Sequence, residues 1–588
     1  MKTSAHTAAH PPTAASASSA AFAPAPSFAP AALAPASVSA SAAALALAAA
    51  LALTSCTVGP DYHRPDTTPT PAAYKSPAPA PVGASLATPS EPLSSPVGGV
   101  HAASESVSSA SGVVYDAPPA AWWQLFNDPT LTRLITESLA SNPNLEAAMS
   151  RVDQARALIK SARADYYPTL TLAPNATRSR TSSSRSNNAG YSSTSIKNPS
   201  NNFTLPLDLS YEVDLWGKYR RATEAQRAAA LATAADYEVV RQSMLAELAQ
   251  DYFLLNLYDE QTAILADSAD TYRRQLDLTQ TKQRAGLAQQ TDVLLAQTQL
   301  DEVLRQQIES RRARDKTEHA LALLLGKTPD QLTLPATASG KVFSSQFSVF
   351  SSQSDAGAVA PAENRKLKTE NSPPFAIHIP TIPAGLPATL LARRPDVAEA
   401  EQTLIAANAR IGVAKAQLYP SLNLTGALGY ENNSLTGITD WSNRIWSLAG
   451  GLTAPLFAGG KLRANVEQSE AAYREQLANY RTAVLSAYAD VEDALTDLHY
   501  LADEAQMLDQ TIKNASENVR LIDLQYRQGL ASNLEVITAL QSLLTARTNA
   551  AQVTQQRLAA TVLLIKALGG GWPPDSLSAL LNAKPAAK

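Results

Sequence analysis

The stretch KYRRATEAQRAAALATAADYEVVRQSMLAELAQDYFLLNLYDEQTAILADSADTYRRQLDLTQTKQRA, Lys218 to Ala285, decides the fold. It runs 68 residues without a glycine or a proline. At 1.5 Å per residue this predicts one helix of roughly 100 Å. Leu245, Leu248, Tyr252, Leu255, Tyr258, Leu265, Tyr272 and Leu276 recur along it at steps of three, four or seven. Such a seam makes a coiled-coil-like helix that must pack lengthwise on neighbours.

The stretch has a twin. Lys461 to Gln528 is again 68 residues free of Gly and Pro, and adding 243 to each seam position gives Tyr488, Val491, Leu495, Leu498, Leu501, Leu508, Ala515 and Val519. At the same offset, Arg284-Ala285-Gly286-Leu287-Ala288 matches Arg527-Gln528-Gly529-Leu530-Ala531, and Leu325-Gly326 matches Leu568-Gly569. Upstream the offset is 252: Asn142-Pro143 matches Arg394-Pro395, and Tyr167-Pro168-Thr169-Leu170 matches Tyr419-Pro420-Ser421-Leu422. The chain therefore reads as a duplicated module, 119–340 and 381–572. Two shorter helices are expected beside each long one, over 144–167 and 287–325 and again over 396–419 and 530–568. Stacked end to end, a pair of roughly 36 and 58 Å matches one long helix. Pro143 and Pro395 stand just inside a helix start, where a missing N–H is tolerated.

Between the helices the period changes to two. Phe203, Leu205, Leu207, Leu209, Tyr211, Val213 and Leu215 alternate with Thr204, Pro206, Asp208, Ser210, Glu212 and Asp214, a strand with one apolar and one polar face. A weaker partner is expected over 168–176, and two more strands run through Leu422–Tyr430 and Trp446–Leu456. Strands of about ten residues with alternating faces suit a transmembrane β-barrel, although a half-buried soluble sheet has the same period. Four strands cannot close a barrel, and open edges are excluded from lipid. Three chains giving twelve strands would close it.

At the N-terminus, residues 42–53 form an apolar run of twelve, short for a span and of the right length for a signal-peptide core. It ends in Leu53-Thr54-Ser55-Cys56, which resembles the lipobox of bacterial lipoproteins, so 1–55 reads as a signal peptide with a long atypical leader. Covalent lipid is expected on Cys56, an anchor rather than a span. Residues 56–118 are Pro/Ser-rich and read as a tether, 341–380 as a low-complexity insertion and 573–588 as a C-terminal tail.

Composition narrows the function. Lys and Arg total 48 against 52 Asp and Glu, a net charge of −4, so no polyanion-binding surface and no nucleic-acid partner are expected. One cysteine excludes an internal disulfide framework, and the scattered histidines offer no metal site. No GxxxxGK[ST], GxSxG, HExxH or GxGxxG opening a helix after a strand is present. No enzyme and no cofactor are expected.

The chain resembles the outer membrane factors of tripartite efflux and secretion systems, in particular the lipoprotein branch tied to resistance-nodulation-division pumps. The resemblance is carried by Cys56-Thr57-Val58-Gly59-Pro60-Asp61-Tyr62, by Trp122-Trp123-Gln124-Leu125-Phe126-Asn127-Asp128-Pro129 and by Ile382-Pro383-Ala384-Gly385-Leu386-Pro387. It continues in Arg393-Arg394-Pro395-Asp396-Val397 and in the Phe457-Ala458-Gly459-Gly460 turn. It implies a homotrimer, mainly α with a transmembrane β part, in which four strands per chain complete a twelve-stranded barrel in the outer membrane. Long helices then cross the periplasm toward an adaptor and an inner-membrane pump of the resistance-nodulation-division type. The implied function is a passive exit duct for drugs or toxic small molecules. Two alternatives stay open: the exit channel of a one-step protein secretion system, and a structural envelope stalk that conducts nothing.

Function would sit at the helix tips. Gly286 and Gly529 offer the positive φ that ends a helix. By resemblance their turns, with Arg284, Leu287, Arg527 and Leu530, face the adaptor hairpins. Six residues past each glycine stands an acid, Asp292 and Glu535. Threefold symmetry would make each a carboxylate ring, while Ser532-Asn533-Leu534-Glu535 is equally a capping box. Tyr526 resembles a position that latches helices shut in some family members. Trp216, Trp441 and Trp446 fit either an interfacial belt or ordinary packing.

Overall fold

Among the described residues each run of strand continues a helix. A computed structural model describes residues 57–65, 74–75, 119–180, 199–336, 379–380, 382, 392–573 and 576–583. The leader, Cys56 and most of the 341–380 insertion lie outside the described residues. The first module contains α1 (Pro129–Ser141), α2 (Pro143–Ala164), β1 (Thr169–Leu172), β2 (Asn175–Ser179), β3 (Ser200–Val213), α3 (Lys218–Arg284) and α4 (Gln290–Leu324). The second contains α5 (Pro395–Ala416), β4 (Ser421–Asn432), β5 (Arg444–Thr453), α6 (Lys461–Arg527) and α7 (Asn533–Ala567). The two long helices have 67 residues each, one fewer than the uninterrupted stretches that predict them.

The sheet is antiparallel. β1 and β2 share one edge of β3, opposite Leu207–Ser210 and Ser200–Thr204 respectively. They are one strand interrupted at Pro174, which has no N–H for the ladder. β3 then pairs with β4 from Phe203↔Asn432 to Val213↔Leu422, and β4 with β5. The helices repeat that order. α2 and α4 flank α3 on one side, α5 and α7 flank it on the other, and α6 packs against α5 and α7. Four columns result, each a helix or helix pair leading into a strand.

The broken columns are joined by capping. The Asn142 Oδ1 accepts from the N–H groups of Asn144 and Leu145 at 2.8 and 3.2 Å, closing the start of α2. Its Nδ2 donates to the Leu324 carbonyl at 2.8 Å, closing the end of α4. One side chain thus serves orphan groups of two helices. At the matching position Arg394, 8 % exposed, donates through Nη1 to the Ala567 carbonyl at 3.3 Å and through Nη2 to Asp396 and Asp490 at 2.6 and 2.8 Å. The same junction is made by an amide in one module and by a guanidinium in the other. Each also needs its glycine. A Cβ on Gly326 would lie 2.4 Å from the Ser141 carbonyl oxygen, and one on Gly569 would lie 2.2 Å from that of Arg393.

α3 carries the main core. Leu245, Leu248, Phe253 and Leu255 are at most 2 % exposed, and burial of each contributes about 1.5–3 kcal/mol. The Trp122-to-Pro129 motif folds over this face as a short 3₁₀ turn. Trp122, Trp123 and Phe126 are buried, with Phe126 against Phe253 at 5.1 Å. Asp128 caps α1 through Thr130 and Leu131 and accepts from the Tyr252 hydroxyl at 2.7 Å. α6, which among the described helices packs only on α5 and α7, buries Val491, Leu495 and Leu498 but leaves Leu485, Tyr500 and Met507 more than half exposed.

Two sequence expectations change. The tether over 56–118 is pinned at its start: the Val58 N–H donates to the Trp216 carbonyl at 3.0 Å, Asn408 Nδ2 donates to the Pro60 carbonyl at 3.0 Å, and Arg221 pairs with Asp61 at 2.7 Å. Gly59 crosses Gly412 so closely that a Cβ on either residue would collide with its surroundings. Backbone hydrogen bonds and a glycine crossing leave no trace in apolar periodicity, which is why the strap reads as tether. The tail over 573–588 contains a helix of seven residues, α8 (Ser576–Asn582), seated by Leu577 and the buried Trp572 against Ala234 and Ala235.

Glu399 on α5 sits half-buried facing Asp236 and Asp396, and burial together with these two carboxylates pushes its pKa up to about 7. A raised carboxyl pKa means the folded state holds the proton longer than the unfolded chain, so stability falls as pH rises from about 4.5 through 7. Glu399→Gln is expected to raise the melting temperature at pH 8, by the equivalent of about 1–2 kcal/mol after screening, and to leave it unchanged at pH 4.5. An equal effect at both pH values would assign the change to packing.

Candidate functional site at the helix tips

Both tips end alike. At the end of α3 the Leu287 N–H donates to the Lys282 carbonyl at 2.8 Å across Gly286, whose φ is +76°. At the end of α6 the Leu530 N–H donates to Gln525 at 2.9 Å across Gly529, at +77°. These are six-to-one closures that need a left-handed residue. They leave Leu287 and Leu530 as apolar knobs, 77 % and 76 % exposed.

The returning helices start with acids in their first turns. Asp292 accepts from the Gln289 N–H at 3.1 Å. Glu535 accepts from the Ser532 N–H at 2.7 Å, while Ser532 Oγ accepts from the Glu535 N–H at 3.3 Å. Both carboxylates are thus engaged in capping within the chain. Arg527 pairs with Asp523 of its own helix at 2.9 Å, and Arg284 bonds the Gln280 carbonyl and Thr281 of its own.

Behind the turns lies a buried polar knot that the sequence reading missed. Asn533, 5 % exposed, accepts on Oδ1 from Gln275 Nε2 at 2.7 Å and donates from Nδ2 to the Asp292 carbonyl at 3.1 Å. The Thr279 hydroxyl, fully buried, donates to the Gln275 carbonyl at 2.8 Å and accepts from the Tyr526 hydroxyl at 3.2 Å. Lys282 Nζ donates to the Tyr526 carbonyl at 2.6 Å and stands 3.4 Å from the centre of its ring. Burial draws the Lys282 ammonium below its ordinary pKa, opposed by Asp523. Four helices meet here: α3 through Gln275, Thr279 and Lys282, α4 through Asp292, α6 through Tyr526 and α7 through Asn533. The knot ties the α3–α4 hairpin to the α6–α7 hairpin. Of the sequence candidates it gathers Tyr526 and the backbone of Asp292, while Arg284, Leu287, Arg527, Leu530 and Glu535 lie outside it. The available signal was polar Gln275 and Thr279, one turn apart beside an apolar seam. Beneath the knot, Tyr272, Leu300, Val303, Val536 and Leu540 form a separate apolar layer.

At the opposite end, Trp216 stacks on Tyr419 at 4.9 Å and donates to the Pro420 carbonyl at 2.7 Å, a packing role. Trp441 lies under the Arg444 guanidinium, and Trp446 on β5 is 79 % exposed. Thr57 touches Gly217 at the foot of β3, which puts the residue after Cys56 where sheet turns into helix. Among the described residues no group of side chains is arranged to hold a metal ion.

Known proteins share this arrangement. The family model for outer membrane efflux proteins matches residues 134–327 and 386–570. The pyoverdine export outer membrane protein OpmQ of Pseudomonas putida is 31% identical over 466 residues, 78% of this chain and 90% of that protein. Among solved structures, the outer-membrane channel OprN superimposes with a TM-score of 0.69 at 26% identity, covering 88% of this chain and 100% of that one. The outer membrane protein VceC of Vibrio cholerae superimposes with a TM-score of 0.64 at 25% identity, covering 77% and 99%. Its function is therefore that of an outer membrane efflux channel, a transport duct and not an enzyme: the chain belongs to the outer membrane efflux protein family.

Proposed function

We propose that three copies of the chain close into one conduit. Twelve strands would form a barrel in the outer membrane, and the helical columns a tube ending at the tips. The observation that carries this reading is the open sheet. β5 and the β1–β2 edge each pair on one side only, and lipid does not tolerate unpaired backbone. Lipid on Cys56 would anchor the conduit, a reading supported by Thr57 packing at the foot of the sheet. The exposed turns around Leu287 and Leu530 would receive the hairpins of a periplasmic adaptor, which delivers cargo from an inner-membrane pump of the resistance-nodulation-division type. The cargo class is small amphiphilic or toxic molecules, in keeping with relatives named for export of pyoverdine and toluene. In this reading Asp292 and Glu535 cap helices and line the constriction at once, and Tyr526 helps hold it shut.

Single-channel recording in planar bilayers tests the reading. Wild-type trimers are expected to pass small cation-selective currents, and Asp292→Ala and Glu535→Ala to weaken that selectivity, each at a cost of about 1 kcal/mol in helix capping. Confirmed trimers that pass no current in any variant would point to a sealed stalk. Unaltered selectivity in both variants would confine the acids to capping.

A further inference from the structure

The internal repeat gives a template for a contact that a single chain does not contain. Within the chain, α3 packs on α7 in a register marked by Asp267–Arg547 at 2.8 Å and by Gln275–Asn533 at 2.7 Å. Adding 243 to the α3 positions and subtracting 243 from the α7 positions transfers the register to the outer faces of α6 and α4. Gln510 then falls opposite Leu304, and Asn518 opposite Gln290. Among the described residues those faces have no partner, yet they carry large apolar side chains. Ile308 of α4 is 68 % exposed, and Tyr500 and Met507 of α6 are 66 % and 69 % exposed. In the transferred register Ile308 lands between Tyr500 and Met507, which stand about two helical turns apart on one face of α6, a knob facing a hole.

Charge follows the same register. Arg312 lands between Asp497 and Glu504, and Lys316 between Asp493 and Asp497. At 100° per residue, turning from Leu304 to Gln290 leads on to the Arg312–Lys316 flank of α4, and turning from Gln510 to Asn518 leads to the Asp497–Glu504 flank of α6. The two rows therefore fall on the same side of the contact. Among the described residues Lys316, Asp493, Asp497 and Glu504 have no ion-pair or hydrogen-bond partner, and Arg312 reaches only Glu309, at 3.5 Å.

We propose that the outer face of α4 in one copy docks on the outer face of α6 in the next, with Ile308 seated between Tyr500 and Met507 and with Arg312 and Lys316 opposite Asp497 and Glu504. This rests on the three-copy ring and adds to it which faces meet, in what register, and by what chemistry. The two kinds of contact in the ring then differ. Within a copy, the two hairpins are held by a buried amide and hydroxyl knot. Between copies, an apolar row is flanked by exposed ion pairs that salt screens. Within a copy the exposed pair Asp267–Arg547 is backed by that knot, so the boundary between copies is the more salt-sensitive of the two.

Two experiments on the full-length chain test this. In Ile308→Cys/Asp503→Cys, oxidation is expected to give covalent trimers on non-reducing gels, and in the control Asp267→Cys/Arg547→Cys a bond within one chain. Arg312→Glu/Lys316→Glu is expected to lower trimer yield at low salt by about tenfold or more, and adding Asp497→Lys/Glu504→Lys to restore it. Trimers by native mass spectrometry, with the control bond closed but no covalent trimer, would overturn the register and leave the ring standing. A reversed pair that the second reversal does not rescue would overturn the charge pairing. Wild-type protein that is monomeric by native mass would remove the ring itself, and the proposal with it.

Discussion

Asn533→Ala is expected to open the tip. The substitution removes the acceptor of Gln275 and the donor to the Asp292 carbonyl, leaving a buried amide at Gln275, 6 % exposed, without its partner. An unpaired buried polar group costs about 1–3 kcal/mol, and that cost falls on the state in which the hairpins are tied together. The balance between tied and untied tips should move toward untied by roughly tenfold or more. Planar-bilayer recordings should show it as larger or longer-lived openings, with trimer content unchanged. Tyr526→Phe removes one hydroxyl while keeping the ring against Lys282, and should give a smaller effect of the same sign. Wild-type conductance from trimeric Asn533→Ala would separate the knot from gating and leave it as packing.

Gly569→Ala is expected to have the largest effect on assembly. Gly569 has φ +95°, where an L-residue is strained by about 1–2 kcal/mol. Its new methyl group would stand 2.2 Å from the Arg393 carbonyl oxygen, which is backbone and cannot swing aside. The α7–α5 junction, with the Arg394 bonds to Ala567, Asp396 and Asp490, would have to part. A loss above about 4 kcal/mol is anticipated, read as loss of folded trimer from outer-membrane fractions. Gly326→Ala should do the same at the other junction. Normal yield from either variant would show that the column ends have more slack than their geometry indicates.

What the sequence makes legible is whatever repeats along it. Lys218–Arg284 and Lys461–Arg527 end within one residue of the stretches that predict them because a glycine punctuates each end: Gly217 and Gly286, Gly460 and Gly529. The strand through Phe203 to Val213 is visible because its faces alternate. The register of β3 on β4, joining the two modules, is not periodic and emerges only from packing. The same holds for the strap, whose anchors are a backbone amide, a carbonyl and a crossing of Gly59 on Gly412. At the tip, Asp292 and Glu535 draw attention as acids, whereas Asn533, Gln275 and Thr279 are individually ordinary. They acquire meaning because two helices, α3 and α7, bring them within 2.7–3.4 Å of one another, which no linear spacing records. Asn142 and Arg394 carry a related lesson: the repeat aligns them, but only the structure explains how an amide and a guanidinium do one job.

The junctions also make the molecule a lever. α3 and α6 run unbroken from the sheet to the tip, whereas their neighbouring columns are cut at Gly326 and Gly569, where side-chain caps rather than continuous backbone hold the ends. From there to the tip is roughly 50 Å of helix. A tilt of about 3° at that fulcrum displaces the tip by about 3 Å, which exceeds the tolerance of a hydrogen bond. Bonds as short as those of Asn533 would part under a motion too small to disturb the packing around Phe253. An adaptor pressing on Leu287 or Leu530 would work at the long end of that arm, where the force needed is least.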